Sequence, residues 1–317
     1  MELRQLRYFV RVVELGSMGR AALELGVTTS TLSQQISRLE SELSTRLLQR
    51  LSTGVVPTGA GIEFWQHAQT VLRQVEIAAN AAQEGRLSGA VRIGMAPTLA
   101  LRLALPLIRA MRERYPKIRV NIVEGLSAYL TVLIDARRLD LSLRFDMGED
   151  PRMHVTPLLK EYLYVIGRND LPGMPLGRST RLEHLAKLPL ILPSGRHTLV
   201  SIIMNAFKRR NTIPNVVSEI DGLNTLMGAV QAGMGATIHP SSAVSVTNDE
   251  RIVLVPIADK SLYRCSILTS HPDDELSPAA LATRVVLKEV AHELIRDGAW
   301  EGASILDEKG LGTSFAA

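Results

Sequence analysis

The chain has 317 residues, 46% of them hydrophobic, a formal charge of +4, and a single cysteine, Cys265. That length allows two or three domains with real cores. One cysteine excludes an internal disulfide framework and a cysteine-based metal site, and it fits a reducing cytoplasm. No apolar run reaches the ~18 residues of a membrane span. The N-terminus is a polar amphipathic helix without the basic-then-apolar layout of a signal peptide. Over residues 1–88 there are nine Arg, no Lys and eight Glu, a net of +1. Any nucleic-acid binding there must rest on placed arginines and helix ends rather than on bulk charge.

The first predicted element is a helix with Leu3, Leu6, Phe9, Val10 and Val13 on its apolar side. A short helix carrying Ala21, Ala22 and Leu25 follows, and Gly26 permits a turn. Thr28 or Thr29 can then cap a further helix. In that helix Leu32, Ile36, Leu39 and Leu43 recur at helical spacing and predict one buried stripe. The opposite face presents Thr28, Thr29, Ser30, Thr31, Ser33, Gln34, Ser37 and Arg38, short polar groups around an amide and a guanidinium, a set suited to base edges and phosphates. Two adjacent amphipathic helices also make an ordinary helical hairpin. The surroundings favour a DNA reader: Leu47–Arg50, a turn at Ser52, Thr53 and Gly54, and Val55–Thr58 read as a two-stranded wing, with Arg50 and Thr53 as further DNA contacts.

From Thr58 to about Arg86 the pattern is helical and free of Pro. Trp65, Ala68, Leu72, Val75, Ala79 and Ala82 alternate at steps of three and four, the rhythm of a coiled-coil seam, on a helix roughly 40 Å long. The competing reading is a long helix packed on its own domain.

The first sixty residues resemble the N-terminal domain of LysR-type transcriptional regulators. The likeness rests on Leu6-Arg7-Tyr8-Phe9, Gly16-Ser17, Ala21-Ala22, Leu32-Ser33-Gln34-Gln35-Ile36, Leu39-Glu40, Leu43, Leu47-Leu48-Gln49-Arg50 and Thr58-Gly59-Ala60-Gly61. Thr29 stands where the family often carries a base-contacting Gln, so base preference does not carry over with the motif. The resemblance implies a double-stranded DNA operator, dimers formed through the long helix, and dimers or tetramers overall, with RNA polymerase a further partner.

Beyond Gly85–Gly89 the period changes. Strands at 90–94, 118–123 and 139–145 alternate with helices at 98–114 and 128–138, the signature of a parallel sheet with crossovers. A second unit from about Tyr162 to Cys265 has strands at 163–165, 190–192, 216–220, 236–239 and 252–256 and helices near 198–210 and 223–232. The chain then returns through Ile267–Thr269 and a final helix, 278–296. Leaving one lobe and returning to it implies two crossings and a cleft. This arrangement is similar to the periplasmic-binding-protein-like effector domain of the same family, and its cadence is similar to regulators of the nitrogen-assimilation-control type. The fold class expected is therefore α/β: a winged helix-turn-helix at 1–58, a linker and dimerisation helix at 59–88, and an effector domain at 89–300. Its lobe I is 89–161 and 266–300, its lobe II 162–265, and a flexible tail occupies 301–317.

Strand ends and helix starts in such a sheet face the cleft. Thr98 and Leu99, Ser127, Arg144 and Phe145, Ser194 and Arg196, and His239 are the candidate effector contacts, for a small and anionic ligand. Thr98 could instead merely cap its helix, and Arg144 could pair with Asp146 or Asp140. No phosphate loop, nucleophile elbow, His-Glu-x-x-His or Cys/His cluster is present, so neither enzyme chemistry, metal nor cofactor is expected. The main expectation is a ligand-controlled DNA-binding regulator. The alternatives are one controlled by abundance or a partner protein, and an α/β enzyme or solute carrier fused to a helical anchor.

Overall fold

The computed structural model describes residues 1–51, 54–81, 87–145, 151–195, 197–244 and 249–306, without the side chains of residues 73, 76, 77 and 79–81. The chain divides into two compact units, 1–86 and 87–317. No described helix is long and apolar enough to cross a membrane.

In the first unit, α1 (Leu3–Leu15) ends at Gly16 in the left-handed conformation, φ 60°. Ser17 caps α2 (Met18–Glu24) by accepting from the Arg20 N–H, and Thr28 caps α3 (Thr29–Glu42) by accepting from the Thr31 N–H at 3.1 Å. β1 (Leu48–Leu51) and β2 (Gly54–Pro57) pair antiparallel, Leu48 opposite Pro57. The wing is fixed to the helices by the Val55 N–H, which donates to the Gly16 carbonyl at 3.0 Å. Thr58 donates to the Arg46 carbonyl and accepts from the Gly61 N–H, opening α4 (Gly59–Ala81). A Cβ at Gly61 would lie 2.0 Å from the Leu47 carbonyl oxygen, so this crossing of wing and helix requires glycine.

Leu6, Phe9, Val12, Ala21, Ala22, Leu32, Ile36, Leu39, Leu47 and Val55 form the core. Two expectations change here. Leu43 caps α3 and is exposed, while Gln35 takes the buried place and accepts from the Gln5 amide at 3.5 Å. Ala68 is buried, and Trp65 and Leu72 pack on this same core, beside an edge-to-face contact of Phe9 with Phe64 at 5.2 Å. The first half of the expected dimer seam therefore serves its own domain, because α4 lies along α1. Val75 is half-buried. The side chain of Ala79, and Ala82 as a whole, lie outside the described residues. Among the described side chains of α4, the large apolar ones that are exposed are Ile62 and Val71.

The second unit begins with β3 (Gly89–Met95), α5 (Pro97–Arg114), β4 (Ile118–Glu124), α6 (Ser127–Asp135) and β5 (Leu141–Arg144). Strands β4 and β5 both lie parallel to β3. Then β6 (His154–Arg168) crosses the whole unit. Its first half pairs with β11 (Tyr263–Ser270), its second half with β9 (Thr237–Pro240) and β10 (Ile252–Pro256), all antiparallel. The sequence reading placed a strand only at 163–165. Pro157 hid the earlier part, and the structure accommodates it at a register shift opposite Ser266/Ile267. Lobe II contains β7 (Leu190–Leu192), α7 (Thr198–Arg209), β8 (Val216–Glu219), parallel to β7, and α8 (Leu223–Gln231). The chain returns through β11 to α9 (Pro278–Arg296).

The start of the expected flexible tail is ordered. Trp300 is only 2% exposed, and β12 (Ala303–Ile305) pairs with β6, Ala303 opposite Glu161. Glycines make the turns into and out of this segment: Gly298 and Gly302 have φ near +70°, and a Cβ at Gly302 would lie 2.6 Å from the Tyr164 hydroxyl. Residues 307–317 lie outside the described part.

Candidate nucleic-acid interface and lobe cavity

Burial of Leu32, Gln35, Ile36 and Leu39 orients α3. Thr28, Thr29, Ser30, Thr31, Gln34, Ser37 and Arg38 are then exposed together, with Ser33 half-buried at the edge. The helix N-terminus beside these hydroxyls favours a phosphate. Arg50 on the wing donates to the Ser33 hydroxyl at 2.6 Å, so wing and helix present a joined polar surface. Sequence reasoning assigned both residues but not this link. Thr53 lies outside the described residues. Glu40 accepts from the Leu47 and Leu48 N–H groups at 2.8 and 3.0 Å and so sets where the wing leaves the helix.

In the second unit, a cavity of about 380 Å³ opens between the lobes. Thr98, Ser127, Phe145 and His239 line it, as the sequence suggested. Leu99 lies beneath, fully buried in the lobe I core. Arg144 is buried on β5 opposite Ile267 and is not among the lining residues. Strand alternation turns it away from the position that Phe145 occupies. Ser194 does not line the cavity; its N–H donates to Asp221 at 2.8 Å on the rim, and Pro193 takes its place in the wall. Arg196 lies outside the described residues.

Four helices begin at this cavity. Pro97 and Thr98 open α5, Ser127 and Ala128 open α6, Thr198 and Leu199 open α7, and Leu223 opens α8. None of the four has a side-chain cap. By contrast, Ser17, Thr28 and Ser277 cap α2, α3 and α9. Uncapped first turns leave N–H groups and the positive dipole end toward whatever fills the space. Thr98, expected either to cap α5 or to meet a ligand, accepts from Arg264 at 2.5 Å, and Ser127 Oγ accepts from the Phe145 N–H at 3.1 Å.

Arg264 is the residue that the sequence reading missed. It lines the cavity, is 6% exposed, and its guanidinium lies 3.7 Å from the centre of the Phe145 ring. Its partner is Glu161 at 2.9 Å, 1% exposed. Glu161 also accepts from Trp300 Nε1 at 3.0 Å and from the Ser242 hydroxyl at 2.5 Å. A network of hydrogen bonds thus runs from the cavity wall through both crossing strands to the C-terminal segment. Burial pulls the Arg264 pKa down, and Glu161 opposes that fall. Neither residue stood out in the sequence, because β6 also carries Lys160 and Arg168 and β11 is rich in Ser and Thr; the pairing of Glu161 with Arg264 comes from the register of the two strands.

His239 is 5% exposed, and neither ring nitrogen has a partner among the described residues. Burial, with Arg264 and His197 nearby, pushes its pKa down to about 3, so the ring is neutral. On the rim, His197 Nε2 stands 3.3 Å from Asp221. The Ser194 N–H, then the Ser194 side chain and His197, hold the Asp221 carboxyl below its usual range. Cys265 sits on β11, half-buried, with its thiol pKa raised by burial.

Comparison with known proteins follows the same division. The profile for the bacterial regulatory helix-turn-helix protein, lysR family, matches residues 3–62, and that for the LysR substrate binding domain matches residues 84–292. The nitrogen assimilation regulatory protein nac of Klebsiella aerogenes is 34% identical over 291 residues, 90% of this chain and 94% of that protein. A full-length OxyR variant from Pseudomonas aeruginosa superposes with a TM-score of 0.74 at 24% identity, over 92% of this chain and 95% of that one. Full-length CbnR complexed with its target DNA gives 0.66 at 23% identity, over 92% and 100%.

Proposed function

The chain belongs to the LysR family of DNA-binding transcriptional regulators, and from that membership we propose that a small organic anion, bound in the cavity between the lobes, controls its operator binding. The observation that supports this most is the meeting of four uncapped helix N-termini on one cavity. Those N–H groups attract an anion without a dedicated cation. The wall is otherwise largely apolar, with Leu126, Tyr129, Phe145, Leu199, Leu223 and Leu226 suiting a hydrophobic body. Residues from both lobes line the space, so a ligand contacting both favours one lobe arrangement over another, which is the condition for shifting an equilibrium.

DNA is read by the exposed face of α3, with Arg50 on the wing contributing a sequence-independent contact. Self-association uses the outward edge of α4, where Ile62 and Val71 are exposed, rather than Trp65, Ala68 and Leu72. Two readers on a dimer match a two-fold operator.

The test begins with a thermal-shift screen of small organic anions, followed by footprinting with and without the compound found. Thr98→Val and Ala128→Asp should abolish the response while leaving basal operator binding within about tenfold, or ~1.4 kcal/mol. A response that survives both substitutions places the effector elsewhere. A thorough screen without a compound favours control by abundance or a partner protein. Val71→Lys should shift sedimentation toward monomer, and an unchanged oligomer would refute the α4 edge.

A further inference from the structure

The cavity contains a demand that an anion-binding helix end does not meet. His239, on β9, is buried, lines the cavity, and has no partner at either nitrogen among the described residues. Buried polar groups are nearly always hydrogen-bonded, and one left without a partner is costly. The neutral ring offers one N–H and one lone pair. Its neutral state follows first from burial, and Arg264 beside it further disfavours a second cation. Arg264 is also the only arginine among the described lining residues, and it is already matched by Glu161. Among the described lining residues, a second carboxylate beside the ring would find no cation that is not already engaged. A hydroxyl, carbonyl or amide would satisfy the ring at no such cost.

We infer that the ligand is a monoanion, its carboxylate on the helix N-termini, with an uncharged hydrogen-bonding group at its far end that His239 reads. This rests on the reading of the cavity as the effector site and narrows the chemical class. It excludes dicarboxylates as preferred ligands and makes His239 the residue that distinguishes a hydroxy acid from its parent.

Two matched series test it on the full chain by calorimetric titration: phenylacetate, 4-hydroxyphenylacetate and 4-carboxyphenylacetate, and pentanoate, 5-hydroxypentanoate and glutarate. In at least one series the hydroxy acid should bind about tenfold tighter than the parent, as expected for one buried hydrogen bond to an otherwise unpaired group, with the diacid weakest. His239→Phe should abolish the preference for the hydroxy acid over its parent, a loss of about tenfold in the ratio of the two affinities. His239→Gln, which keeps a donor and an acceptor, should retain part of the preference. Thermal unfolding without ligand checks that both variants fold. A diacid that binds tightest, or a hydroxyl preference that survives in His239→Phe, overturns the inference. Parent acids that bind with no hydroxyl preference refute the role of His239 alone. If all six compounds fail to bind at millimolar concentration, the anion-effector reading fails with it.

Discussion

The exposed face of α3, which is polar, and the lobe cavity, whose wall is largely apolar, are both built at helix N-termini, yet they treat those termini in opposite ways. Thr28 occupies the end of α3, so its first N–H groups are partly satisfied and recognition passes to the side chains behind them. The helices at the cavity have no side-chain cap, so in the proposed effector site the backbone itself would be the recognising group. Side chains such as Gln34 can read a pattern of donors and acceptors along DNA. Backbone N–H groups read charge, and selectivity must then come from a few buried side chains such as His239. The two regions also differ in reach along the chain. The α3 face lies within eleven residues, 28–38, whereas the cavity gathers residues from Ala96 to Arg264.

The largest effect should come from the buried pair behind the cavity. Glu161→Ala leaves Arg264 charged and unpaired and should destabilise the second unit by about 3–5 kcal/mol. Trp65 and Trp300 are the only tryptophans, one in each unit. A Trp65→Phe background therefore follows the second unit alone by fluorescence during urea unfolding. An equal shift of the first unit, followed through Trp65 in a Trp300→Phe background, would end the view that the pair serves the lobes. The counterpart in the first unit is Gly61→Ala, whose Cβ meets the Leu47 carbonyl. Overpacking against backbone should cost about 1–3 kcal/mol, read from Trp65 in a Trp300→Phe background. A neutral result would mean that the wing yields freely.

The next contrast separates reading from folding. Gln34→Ala should lose roughly 1–3 kcal/mol of discrimination at one base pair with unfolding unchanged. Footprinting in which all sequences weaken alike would assign Gln34 to the phosphate backbone instead. The smallest effect, per unit of pH, is that of His239. His239 stays neutral in the fold down to about pH 3, whereas the unfolded ring takes a proton below about 6.5. The unfolded state then binds the extra proton, so stability falls as pH drops from about 6.5 toward 3. His239 can contribute at most about 1.4 kcal/mol per pH unit of that slope, and His239→Phe should flatten it. Identical slopes for wild type and variant between pH 6.5 and 4.5 would show that the ring is solvated or paired.

The periodicity of apolar residues determined a great deal without any coordinates. The α3 stripe, the wing, the crossover rhythm of lobe I and the final helix at 278–296 all follow from local spacing, because a helix or strand that buries one face repeats its apolar residues at a fixed step. Thr98, Ser127, Phe145 and His239 were legible for a related reason: in a parallel sheet the strand ends and helix starts share one edge.

Only the tertiary structure decided the rest. Trp65, Ala68 and Leu72 have the spacing of an intermolecular seam, but the same spacing serves a helix packed on its own domain, and in the fold these residues pack on the core that α1 helps to build. Arg144 and Arg264 are each a guanidinium on a buried strand, and Phe145 and Arg264, not Arg144, occupy the cavity wall. The pairing of Glu161 with Arg264 joins residues 103 apart in the chain. Trp300 closes the same network from a segment whose glycines look like a loose tail. Such contacts leave no periodic trace, because long-range pairing depends on how strands cross rather than on what stands beside each residue.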